Sequence, residues 1–135
     1  MPSKKTIYDE QIQRILRVAN RLQIELQLEW IHINHRFNEA PHEEGNLAVS
    51  ETQWEYRQAD ITWALTDVAA ASDEELEKIC IHEYMHILLG PLEEFLPKKS
   101  QKQEEFAVES LTRAIMAARS VSFRNQAPIN PLTAL

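Results

Sequence analysis

Glycine is almost missing from this chain, with just Gly45 and Gly90 in 135 residues. So few glycines exclude a Gly-rich loop that cradles phosphates at a helix N-terminus. Cysteine occurs once, at Cys80. No internal disulfide can form, and a cytoplasmic, reducing setting is the expected one. No stretch reaches the roughly 20 apolar residues that span a bilayer. The start, Met1-Pro2-Ser3-Lys4-Lys5, leads into a mixed polar segment rather than the apolar core of a signal peptide. Basic clusters are lacking as well. The densest, Lys4-Lys5 and Lys98-Lys99 with Lys102, sit among glutamates, and the net charge is −7. A nucleic-acid partner needs a basic surface and is not expected. No membrane partner is expected either.

What is present suits a single globular domain. The 44% hydrophobic and 26% charged content is ordinary for such a fold, and the length is ample for one core. Residues 1–122 read as that domain, and 123–135, with Pro128 and Pro131 and no periodicity, as an extended or disordered tail.

The densest chemistry lies at His82-Glu83-Tyr84-Met85-His86, flanked by Ile79-Cys80-Ile81 and Ile87-Leu88-Leu89. Residues four apart share a helix face, so His82 and His86 can offer two imidazoles to one cation. Glu83 stands beside them as a general base. This is the H-E-x-x-H pattern of zinc peptidases. Ser72-Asp73-Glu74-Glu75 reads as a capping box that opens the helix, and Gly90-Pro91 as its stop. Histidines and a glutamate in so apolar a helix carry a desolvation cost unless hydrogen-bonded or metal-bound. Cys80 falls about 200° from His82 on the helix, facing away from the pair.

Before this helix, residues 6–29 repeat apolar side chains at helical steps, at Ile12, Ile15, Ala19, Leu22 and Leu26, with Ile24 and Leu28 widening the stripe. Residues 30–37 alternate as a strand. His32 and His35 point to opposite faces of it and cannot pair as ligands. Residues 38–46, with His42, read as a loop. Residues 59–65 form a second, half-buried strand and a plausible exposed edge for an extended peptide; 47–57 stay open. After Gly90-Pro91, residues 92–96 suggest one helical turn closed by Pro97. Ser100-Gln101-Lys102-Gln103 suggests another capping box. A last helix then runs to about Ser122, its apolar face built from Ala107, Val108, Leu111, Ala114, Ile115 and Ala118.

A catalytic zinc usually has three protein ligands. The last helix offers Glu104, Glu105 and Glu109. Periodicity favours Glu104, which lies about 20° from the centre of the Ala107/Leu111/Ala114/Ala118 stripe, against about 120° for Glu105.

The run His82-Glu83-Tyr84-Met85-His86-Ile87-Leu88-Leu89-Gly90 resembles the H-E-x-x-H-x-L-L-G segment of the ImmA/IrrE-like metallopeptidases and of small zincin-like proteins of phages and prophages. In these and in thermolysin-like gluzincins the ligand glutamate has a small or apolar residue three positions on and a polar residue at the fourth. The resemblance therefore implies Glu105 as third ligand, with Val108 and then Glu109 orienting a histidine. Met85 departs from the small residue usual before the second histidine. Leu89 and Leu92 occupy the positions where a metzincin carries glycine and a third histidine.

The expectation is an α+β, minimal zincin-like fold. An N-terminal helix and a small, mostly antiparallel sheet would cover a helical pair holding Zn2+. The expected activity is peptide-bond hydrolysis on a peptide or protein substrate, with Glu83 as base. Tyr56, ahead of His32, His35 and Arg57, is the first candidate for steadying the oxyanion. Two other readings stay open: a zinc-containing binding or regulatory module with a protein partner, and a different metal hydrolase or a structural protein. Glu83 favours an enzyme, and the short chain, with little surface left to enclose a substrate, favours a module.

Overall fold

The computed structural model describes residues 3–40, 45–93 and 101–125. In chain order the elements are α1 (Lys4–Glu25), β1 (His32–Asn38), β2 (Ala48–Gln53), a 3-10 turn (Trp54–Tyr56), β3 (Gln58–Ala64), α2 (Leu65–Ala70), α3 (Asp73–Glu93) and α4 (Gln101–Asn125). The fold is α+β, as expected. The expectations for His42, 94–97, Ser100 and 126–135 lie outside the described residues. Among the described residues no helix is long and apolar enough to cross a membrane.

Alternation in 58–64 does make a strand, but β3 is the middle of the sheet and not its edge. The order is β1-β3-β2. β1 runs parallel to β3, with His35 opposite Ile61, while β2 runs antiparallel to it, with Ser50 opposite Ile61. The sheet is thus mixed, and one of its two ladders has the expected antiparallel sense. The connection after β1 carries the chain past β3's place before the hairpin returns it. Arg57, at φ 54 in the left-handed region, closes that hairpin.

One face of the sheet is apolar. Ala59, Ile61 and Trp63 are buried there against Ile15, Ala19 and Leu22 of α1 and Leu76, Cys80, Ile81 and Tyr84 of α3. The Tyr84 hydroxyl donates to the Ala19 carbonyl at 2.7 Å, which ties α3 to α1. Burial pushes the Cys80 thiol up to about 12, so it remains an inert core group turned from the histidines. Arg14 pins the start of α3. Its guanidinium donates to the carbonyls of Val68 and Ala71 at 2.9 and 2.7 Å, and to the Asp73 carboxylate at 2.8 Å.

Three helix boundaries differ from the expected ones. α1 ends at Glu25, short of residue 29, because Gln27 enters the left-handed region at φ 56. Leu28 then donates back to Gln23, and Gln27 to Ile24, which is a Schellman cap built on glutamine where glycine is usual. Gln23 reinforces it, its side-chain amide donating to the carbonyls of Leu28 and Ile31. Ile24 is thereby left 60% exposed. α3 continues through Gly90 and Pro91 to Glu93. Pro91 has no N–H to donate to the Ile87 carbonyl, so one intrahelical hydrogen bond is missing in the last turn. Gly90 serves a close approach instead, since a Cβ there would sit 3.3 Å from the Thr52 Cβ of β2.

α4 starts at Gln101 and extends to Asn125. Its buried side is Val108 and Thr112, with Ile115 and Met116 partly buried, whereas Leu111, Ala114 and Ala118 face outward. The expected apolar face is therefore right at Val108 and Ile115 and wrong at Leu111, Ala114 and Ala118. Thr112 fits the apolar interface because its hydroxyl donates to the Val108 carbonyl at 2.7 Å.

His35 is the one buried polar outlier among the described residues. The Trp63 indole N–H donates to its Nδ1 at 3.0 Å, which leaves the ring proton on Nε2, where no partner meets it. Desolvation lowers its pKa from 6.5 to about 4.

Two measurements follow. The unfolded chain takes up the His35 proton first, so this contribution is whole above pH 6.5 and is lost as pH falls towards about 4. About 3 kcal/mol disappears across that window. Chemical denaturation of His35→Gln, which still accepts from Trp63, should show a flatter stability profile between those limits than wild type. Arg14→Ala should lose about 2–3 kcal/mol, because two carbonyls and a carboxylate forfeit charge-assisted bonds. An unchanged denaturation midpoint would contradict that account.

Candidate metal centre

Capping sets the phase of α3. The Ser72 hydroxyl accepts from the Glu75 N–H at 3.1 Å, and the Glu75 carboxylate accepts from the Ser72 N–H at 3.3 Å. With the helix started there, Leu76, Cys80 and Tyr84 point into the core while His82 and His86 point towards α4. α4 answers with three carboxylates. Glu104 and Glu105 are consecutive, and Glu109 lies one turn beyond Glu105, so the three flank the histidine pair.

The resulting geometry has two layers. His82 Nε2 lies 3.1 Å from one Glu105 oxygen, His86 Nε2 lies 3.2 Å from the other, and the two Nε2 atoms are 3.2 Å apart. Behind them, His82 Nδ1 is 2.9 Å from Glu109 Oε1, and His86 Nδ1 is 3.3 Å from Glu104 Oε1. With the Nδ1–H tautomer on both rings, Glu109 and Glu104 accept from the outer nitrogens. Both Nε2 lone pairs then face each other and a third acceptor, the Glu105 carboxylate. Acceptors converging without a donor repel one another, and a cation is what such a donor set fits.

Size agrees. Tetrahedral zinc with bonds of about 2.0–2.1 Å sets its ligand atoms roughly 3.4 Å apart. Ligand atoms of His82, His86 and Glu105 all lie within 4.8 Å of one another. The carboxylates behind the rings match the carboxylate–histidine–metal arrangement that orients imidazole ligands and raises their basicity. Glu104 and Glu105 thus take different places beside the two rings. Glu104, its side chain just 12% exposed, sits on the buried face and reaches a ring's outer nitrogen. Glu105, 54% exposed, comes in from the groove side to the inner ones.

Glu83 is 6% exposed and lies in the same groove. Burial raises its carboxyl pKa, opposed by a hydrogen bond from Ser50 and by the two imidazoles. The groove, about 1030 Å³, is walled by β2 on one side and by Lys78, Ile79, His82 and His86 on the other. Ser50 was not legible as a functional residue. Its only signal was the spacing of Ala48, Ser50 and Thr52 along a stretch too polar to declare itself a strand.

Tyr56, by contrast, is not brought to this centre. It sits in the 3-10 turn after β2, is 71% exposed, and lines a separate concavity together with His32 and Arg57. The hairpin carries it off the end of β2, away from the strand segment that borders the groove. His35 is packed on Trp63 in the core. None of these four borders the groove. Compared with protein-family models, curated proteins and solved structures, the chain has no significant match.

The hydrogen-bond pattern makes a direct prediction about the metal-free chain at mildly alkaline pH. Long-range 1H–15N spectra should show His82 and His86 both as the Nδ1–H tautomer. Glu109→Ala should release that preference at His82 alone. An Nε2–H signal from either wild-type ring would contradict the two-layer arrangement.

Proposed function

We propose that this chain is a zinc-dependent metallopeptidase, with His82, His86 and Glu105 as metal ligands and Glu83 as general base. One observation carries the reading. Three lone-pair groups converge at the spacing of a tetrahedral site, with Glu109 and Glu104 behind the two rings. A zinc ion held there supplies Lewis-acid polarisation of a carbonyl and a lowered pKa for water.

Glu83 accepts the proton of the attacking water and passes it to the departing amine. Its burial favours the protonated form midway, which suits a group that must take a proton and return it. The Ser50 hydroxyl holds the carboxylate in place. Substrate binding falls to β2, which is bonded to β3 on one side and borders the groove on the other. An extended peptide can add to such an edge through its backbone. The edge role expected of 59–65 thus moves one strand over. A cytoplasmic location belongs to the same proposal, since the one thiol is buried and unpaired.

One observation favours a second reading, a zinc-holding regulatory module with weak hydrolysis. Tyr56, His32, His35 and Arg57 all lie away from the groove, so the oxyanion has none of the expected side-chain donors.

Elemental analysis of chain purified without chelator should find about one zinc per molecule, as three protein ligands require. His82→Ala, His86→Ala and Glu105→Ala should abolish it. Glu104→Gln and Glu109→Gln should weaken binding by about 10–100-fold. Glu83→Gln should keep the zinc and lose about 10²–10⁴-fold in rate on an unstructured protein such as casein or on a random peptide library. Zinc without any turnover would select the regulatory module, and no zinc uptake at all would end both readings.

A further inference from the structure

The hydrogen-bond phase of the sheet fixes what β2 presents on the side away from β3. The Ala64 N–H donates to the Leu47 carbonyl at 2.9 Å, which makes these two a hydrogen-bonded pair of the antiparallel ladder. In the same register, Val49 and Glu51 exchange bonds with Thr62 and Asp60. The N–H and C=O groups of Ala48, Ser50 and Thr52 therefore point away from β3. Among the described residues, no backbone hydrogen bond meets them there. Their side chains turn to α3, since Ala48 is buried, Ser50 meets Glu83 and Thr52 meets Gly90. Val49 and Glu51 lie on the opposite, outer face of the sheet, and both are exposed.

Charge on that outer face is out of balance. Glu51 lies directly opposite Asp60, and like charges so placed repel. Asp60 has a partner on its other side, the Arg36 guanidinium at 3.5 Å. Glu51 has none among the described residues. Across the strands the order is thus cation, anion, anion, and then the outer side of β2. The adjoining groove has the same sign. Of the described residues that line it, Lys78 is the sole lysine or arginine, against Glu51, Glu75, Glu83, Glu105 and Glu109.

We propose that the substrates of this groove are basic, extended peptides, selected by Glu51 and Val49; this rests on the peptidase reading. A peptide running antiparallel to β2 bonds to the backbone of Ala48, Ser50 and Thr52. Val49 and Glu51 then occupy non-hydrogen-bonded pairs, where facing side chains come closest, at Cα separations of about 4.5 Å. A lysine or arginine opposite Glu51 completes the alternation of charge. The residue after it turns with Ser50 towards Glu83, and the next one lies on Val49 and is apolar. The preferred triplet is therefore basic, any residue, apolar, in N-to-C order. The net charge of −7 draws such peptides in from solution.

Binding of three end-blocked peptides, with Lys-Ser-Leu, Gln-Ser-Leu or Glu-Ser-Leu at the centre, tests this. The receptor is the full chain carrying Glu83→Gln, which leaves the peptides uncut. Kd is read from amide NMR titrations at low salt. The lysine peptide should bind about 5–20-fold tighter than the glutamate one, with the glutamine peptide between them. Shifts should centre on Ala48, Ser50 and Thr52, and added salt should narrow the gap. Glu51→Gln should cut the preference to under about twofold, and Glu51→Lys should reverse it. Equal affinities, a preference that survives Glu51→Lys, or no saturable binding would overturn the proposal. Zinc content of the same samples separates the two readings. A zinc-loaded chain without charge preference sinks this inference alone, and a zinc-free chain that keeps the preference sinks only the metal reading.

Discussion

Everything in this molecule depends on the rotational phase of α3. The helix is buried on most of its circumference, so it has few ways to lie. Leu76, Cys80 and Tyr84 are fully buried on one side, and the Tyr84 hydroxyl is satisfied by α1. Gly90 allows β2 to cross closely on another side. The remaining face presents His82 and His86 to α4. A rotation of one residue, about 100°, would put an imidazole in the core and a leucine in the groove. The capping box and the Arg14 clamp hold the start of the helix where that cannot happen.

The second constraint is electrostatic. α4 brings three carboxylates to two imidazoles, and the side chains are partly desolvated by the contact. Glu109 and Glu104 stand at the outer ring nitrogens, whereas Glu105 faces the two inner ones, which with both rings in the Nδ1–H tautomer are lone pairs. An arrangement so poor in donors is costly without a cation and favourable with one. The same reasoning explains how Thr112 can lie buried beside Val108. Its hydroxyl is satisfied within its own helix, so the interface gains no unpaired group.

The polar and apolar surfaces are divided between the two free edges and ends of the sheet. On one side β2, the outer strand next to β3, borders a groove that holds Glu83 and the histidines. On the other, near the starts of β1 and β3, Ile24, Trp30 and Tyr56 stand exposed around a hollow. The groove and this hollow thus share no lining residue, and Tyr56, which the sequence suggests for the first, borders the second.

Much was legible from residue patterns alone. Helical spacing revealed α1, α3 and α4, alternation revealed β1 and β3, and Ser72 with Glu75 marked the start of α3. The pairing of His82 with His86 follows from four-residue spacing and needs no tertiary knowledge. These are local features, settled by backbone geometry within a turn or two. What the patterns could not reveal depends on contacts distant in sequence. Gly90 looked like a cap because its true partner, Thr52, is nowhere near it in the chain. Gln27 ends α1 in a conformation that its residue type does not advertise. The buried face of α4 was misread because alanines are small enough to lie on either side. β3 became the central strand through a pairing with β1 that no hairpin signal announces. The roles of Glu104, Glu105 and Glu109 were separable only once α4 lay against α3. Three glutamates within six residues look alike until the packed helices decide which oxygen meets which nitrogen.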